Sequence, residues 1–124
     1  MEYKFIISGR LNGLNEYTAA NRTHPQKGGK MKKDNEELVI WEIRRQLKGI
    51  KINHPVRIMY DFYEPNKKRD LDNISSFAHK VIQDSLVKTG ILKNDGWNEI
   101  TGYLDNFYCD TRNPRIEVTI VVQA

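Results

Sequence analysis

The sequence predicts an α/β (α+β) domain in the order β-α-β-α-β-β, with a four-stranded mixed sheet and two helices packed against it. Three observations lead there. Apolar and polar residues alternate in four short stretches, two longer stretches keep a helical apolar period, and a chain of 124 residues has room for one core. Residues 1–124 are therefore expected to form a single domain.

Tyr3, Phe5 and Ile7 against Lys4, Ile6 and Ser8 mark the first strand, over residues 2–8. From Gly9 to Lys33 periodicity disappears among glycines, Pro25 and many Asn and Thr residues, which predicts a long loop. That loop carries Arg22, Lys27, Lys30, Lys32 and Lys33 with no acid after Glu16, a composition suited either to gripping phosphates or to plain solvation. Asp34 and Glu37 have capping-box spacing, so a helix is expected to start there and run through Leu38, Val39, Ile40, Trp41, Ile43 and Leu47 until Gly49. Trp41 is read as a core anchor.

Val56, Ile58, Tyr60 and Phe62 alternate with Arg57, Met59, Asp61 and Tyr63 in the clearest strand pattern of the first half. The next helix follows Asp72, with Asp72 or Asn73 as its cap and Ile74, Phe77, Ala78, Val81, Ile82 and Leu86 on one face, and Gly90 stops it. Two strands, at about 99–108 and about 115–122, flank the turn residues Asp110 to Pro114. Cys109 is expected to be half-buried in the first of them.

Composition narrows the classes of function. No apolar run approaches a membrane span, and the apolar part of the N-terminus is too short for a secretory signal. A lone cysteine offers neither an internal disulfide nor a zinc set, so a reducing cytoplasm is the expected compartment. The net charge of +4 favours a polyanionic partner only modestly. His24 has no neighbour at ligand spacing, His54 is read as a turn residue, and a proton-shuttle role for His79 has no support beyond its residue type.

The chemistry concentrates in Lys67-Lys68-Arg69-Asp70-Leu71-Asp72-Asn73 and in the turn Lys93-Asn94-Asp95-Gly96. If the first segment is extended, Asp70 and Asp72 project from the same side, roughly 6 to 7 Å apart at their Cα atoms. Two such carboxylates with a third suit a hard cation, because magnesium takes one or two carboxylates with waters and phosphate oxygens. Asp95 is the third candidate. Each piece also has an ordinary reading, as a surface pair, a helix cap or a turn.

The order and spacing of Arg69 to Asn73, of Lys80 to Leu86 and of Lys88 to Asp95 resemble the RusA family of Holliday junction resolvases. The resemblance is strong over residues 67–100 and weak before residue 55. It implies that Asp70, Asp72 and Asp95 bind magnesium, with manganese as a substitute, and that Lys80 assists strand cleavage. Lys67, Lys68 and Arg69 would grip neighbouring phosphates. The implied substrate is four-way junction DNA in recombination and repair, cut by a homodimer that needs no organic cofactor. Two departures stand out. The family lysine usually lies four residues after the second aspartate, where this chain has Ser76; Lys80 is nearly on the same face but roughly 6 Å further along the axis. A second acid often precedes the last aspartate, and here that residue is Asn94. A non-catalytic basic nucleic-acid-binding protein is the alternative reading. A hydrolase of small phosphorylated substrates ranks lower, because no phosphate-cradling Gly-rich motif precedes a helix.

Overall fold

The computed structural model describes residues 1–123, in the order β1 (Glu2–Ser8), α1 (Leu14–Thr23), α2 (Pro25–Leu47), β2 (Val56–Glu64), α3 (Leu71–Lys88), β3 (Ile100–Cys109) and β4 (Arg115–Val122). The four strands form one sheet in the order β1-β4-β2-β3. β4 pairs antiparallel with both β1 and β2, whereas β2 and β3 are parallel, so the sheet is mixed as expected. Parallel pairing requires a crossover between β2 and β3. That crossover is α3 and the loop after it, and it carries all three candidate aspartates.

Alternation in the strands sets the core. Phe5 and Ile7, then Val56, Ile58, Tyr60 and Phe62, then Ile116, Val118 and Ile120 turn inward and are buried, and α3 answers with Ile74, Phe77, Ala78, Val81, Ile82 and Leu86. Each buried Val, Ile, Leu or Phe side chain among them contributes about 1.5–3 kcal/mol. α3 ends at Gly90, whose φ of 77° is the left-handed conformation that glycine adopts without strain.

The expected loop over 9–33 is instead mostly helix, which gives three helices rather than two. Glu16 Oε1 accepts the Gly13 N–H at 3.0 Å and closes the start of α1. Pro25 occupies the first turn of α2, where its missing donor is harmless. Asp34 and Glu37 therefore sit inside α2 and do not begin it. Gly28 allows α1 and α2 to meet: a Cβ there would lie 1.8 Å from Asn21 Oδ1.

Two buried-residue expectations also change. α2 buries Val39, Ile43 and Leu47 together with Asn35, Glu36 and Glu42, a face that leaves Trp41 62% exposed beneath the Arg45 guanidinium. Cys109, at the end of the edge strand β3, is exposed.

Candidate functional site

The aspartate run begins where β2 ends. The helix starts at Leu71, so Asp70 is the extended N-cap residue and Asp72 already lies in the first helical turn. The expected extended conformation thus holds for Asp70, whereas Asp72 has entered the helix. Asp70 opens on a cleft of about 500 Å³ shared with Lys67, Leu71 and Tyr108. Asp72 turns along α3, where the Ser76 hydroxyl donates to its Oδ1 at 3.1 Å.

Asn73 does not cap α3. Its Oδ1 accepts the backbone N–H of Asn15 at 2.8 Å and so serves the start of α1. Arg69 reaches the same region, since its Nη1 donates to the Leu11 carbonyl at 3.2 Å while Nε and Nη2 form a two-pronged pair with Glu64, each at 3.0 Å. Arg69 and Glu64 are both largely buried, with side chains 15% and 7% exposed. Such a guanidinium is a structural tie, whereas Lys67 and Lys68 are exposed.

Asp95 lies in the loop after α3. Ile91 and Leu92 sink into the core, and the Leu92 N–H donates to the Leu86 carbonyl at 3.1 Å, which fixes the start of that loop. Asp95 then meets the middle of α3 and lines a cleft of about 400 Å³ with Ser76, His79, Lys80, Asp84 and Tyr103. Lys80 Nζ is 3.8 Å from Asp84 Oδ2 and 59% exposed, which leaves it free to reach into the cleft. Burial opposes ionisation of Asp84, but hydrogen bonding to the Lys32 ammonium, reinforced by the charge of Lys80, outweighs it and holds the carboxyl below its usual range.

Lys32 belongs to the N-terminal half of α2 and bridges Asp84 at 2.7 Å and Glu36 at 3.0 Å. Lys88 adds a second contact to Glu36 at 2.8 Å. Of the cations expected on a mobile arm, Lys32 is therefore bound to carboxylates and Lys30 is paired with Asp34 at 2.8 Å, while Arg22, Lys27 and Lys33 lie exposed on the two helices.

The carboxylates form two sets, Asp70 with Asp72 at the start of α3 and Asp84 with Asp95 further along it. Asp72 and Asp84 are twelve residues apart on one helix, about 18 Å along its axis. Among the described residues no three or more Asp, Glu, His or Cys side chains come together as a metal-binding group. Either set alone matches the one or two carboxylates magnesium takes.

The chain matches the family described as "Endodeoxyribonuclease RusA" over residues 15–121. It belongs to the RusA family. It is also 37% identical over 82 residues to "Crossover junction endodeoxyribonuclease RusA" of Aquifex aeolicus (strain VF5), a match covering 61% of this chain and 62% of that relative. The chain thus spans less than two thirds of that relative's length. In this RusA-family chain Ser76 stands at the position where a lysine was expected and bonds to Asp72, while Lys80 accompanies Asp84 and Asp95.

Sequence reasoning gave Asp84 no role of its own, read Asn73 as a cap of α3 and found no support for His79 as a proton shuttle. His79 Nε2 lies 2.7 Å from Asp105 Oδ1, and the ring packs between Tyr60 and Tyr103 at 4.6 and 4.5 Å. Asp84 had a readable signal, since it follows Lys80 by one turn on the same face. Asn73 had none, because its partner lies 58 residues earlier in the chain.

Proposed function

We propose that this chain is a magnesium-dependent, structure-specific DNA endonuclease that resolves four-way junctions by paired nicks, working as a homodimer in the cytoplasm on recombination and repair intermediates. Residues 1–124 would form a single domain, and manganese would substitute for magnesium. The observation that carries this is the cleft where Asp95, sent back by the loop after α3, lies with Lys80 and Asp84 on the same helix that begins with Asp70 and Asp72. The name of the Aquifex relative supports the same reading.

Asp70, Asp72 and Asp95 would hold the ion, which when bound supplies an acidified water and neutralises phosphate charge. Lys80 is exposed and only loosely tied to Asp84, so its ammonium can follow charge building on the scissile phosphate. Lys67 and Lys68 flank Asp70 and hold adjacent phosphates without reading sequence. Arg22, Lys27 and Lys33 extend that basic surface along α1 and α2. A junction needs matched cuts in opposing strands, and a two-fold dimer presents two identical sites for them.

The test is incubation of the purified protein with a synthetic mobile four-way junction, with and without magnesium. Paired nicks are expected only with the metal, and Asp70→Asn and Asp95→Asn are expected to abolish them while leaving junction binding in place. Binding with no nicks under any metal would replace this reading with a non-catalytic binding protein, in which the aspartates serve as cap and turn.

A further inference from the structure

Trp97 is 96% exposed and Tyr103 is 53% exposed. Single exposed aromatics are ordinary on protein surfaces. These two, however, line one groove of about 550 Å³, and its other walls include Asp95, Gln83 and Thr101. That volume falls within the range of small-ligand pockets, about 300–1,000 Å³. Both rings stand on fixed backbone. Trp97 rides a turn in which the Glu99 and Ile100 N–H groups donate to the Gly96 carbonyl at 3.1 and 2.9 Å. Tyr103 belongs to β3 and is backed by His79 at 4.5 Å and, edge-on, by Tyr60 at 6.1 Å.

The polar wall is equally defined. Gln83 Nε2 donates to the Tyr60 hydroxyl at 3.0 Å, which orients the amide and leaves its oxygen available to a donor in the groove. Burial pushes the Tyr60 hydroxyl above its usual pKa, so that group keeps its proton. Two aromatic faces, a fixed amide oxygen and a neighbouring acid make a poor surface for an extended apolar partner, because polar groups separate the rings. They suit a flat, partly polar ring.

We infer, on the reading of this chain as a junction nuclease, that the groove between Trp97 and Tyr103 receives an unstacked nucleobase from the strand held beside Asp95. Every base presents a π face, so stacking is tolerant of sequence, and Gln83 adds a preference for a base with an exocyclic amine. The bases at a junction crossover are less constrained than those in continuous duplex and are the ones available to enter.

The chain has two tryptophans, so Trp41→Phe leaves Trp97 as the single indole reporter. Its emission is followed while a fluorescein-labelled four-way junction, and separately a single-stranded oligonucleotide, is added in EDTA, with anisotropy measured in parallel. Quenching in step with the anisotropy rise is expected. In the otherwise native chain, Trp97→Ala is expected to weaken binding about 5- to 150-fold, with Trp97→Phe recovering part of it. Binding with unchanged emission and undiminished affinity in Trp97→Ala overturns the inference and leaves the nuclease reading intact. A halved native mass for Trp97→Ala also overturns it, by identifying a second copy of the chain as the occupant. If the unaltered protein raises no anisotropy at all, both readings fall.

Discussion

The side-chain oxygen of Asn73 accepts the backbone N–H of Asn15 at 2.8 Å, so the last residue of the Asp-Leu-Asp-Asn run closes the start of a different helix. An uncapped first turn leaves backbone donors without partners. Asn73→Ala is therefore expected to cost about 0.5–2 kcal/mol, read as a lower urea midpoint with an unchanged m-value. An Asn73→Ala midpoint equal to that of the unaltered protein would mean that α1 does not depend on this cap.

The basic run divides by burial. Arg69 is locked to buried Glu64 and leaves it only the longer Arg10 contact at 3.5 Å when removed, so Arg69→Ala is expected to destabilise the fold by about 3 kcal/mol, the low end for breaking a buried ion pair. Lys67→Ala with Lys68→Ala should leave the melting temperature nearly unchanged. That double variant should instead reduce the slope of log affinity against log salt by about 2, at about 0.9 for each lost duplex phosphate contact. Melting curves and salt titrations together check the division; a stable Arg69→Ala protein would refute it.

Asp84 gives a pH signature. Its carboxyl is held below the ordinary value of 3.8, so the stability it contributes is present above that pH and disappears as pH falls through the lower folded value. Near pH 6 the unaltered protein should be more stable than Asp84→Asn. The difference should shrink steadily below pH 4. Denaturation midpoints of both proteins across pH 2–6 measure it, and parallel curves would exclude Asp84 as the source.

Lys80 should matter to turnover more than to binding. Removal of one electrostatic stabiliser of developing charge typically costs about 100- to 1,000-fold in rate. Lys80→Ala is expected to show a loss of that size in single-turnover nicking, with junction affinity in EDTA unchanged.

Elements whose burial follows local period were legible in the sequence. β1, β2 and β4 alternate cleanly, and α3 carries an unbroken apolar face, so their positions followed from side-chain spacing alone. The hairpin that Asp110 to Pro114 suggested does not form, because β2 lies between β3 and β4 in the sheet. α1 was not legible, because its buried side is slight: Ala20 is its one buried residue, and Tyr17 meets Phe77 at 4.3 Å only through tertiary packing. The start of α2 was hidden by Gly28 and Gly29, although Pro25 and the pair Gly13 and Glu16 were usable signals. Trp41 was misjudged because apolar residues occupy several faces of α2, and the buried face contains Asn35, Glu36 and Glu42. In the site, residue identities were readable but directions were not. The helix starts at Leu71, which takes Asp72 into its first turn and leaves Asp70 as its extended cap.

The Leu11 carbonyl and the Asn15 N–H are held by Arg69 and Asn73, one residue on each side of the aspartate pair. The peptide before α1 and the acidic run thus make a single joint, although more than fifty positions separate them in the chain. Transplanting residues 67–73 into another scaffold would deliver the acids without the surface that shapes them. The smallest portable unit also includes residues 11–15.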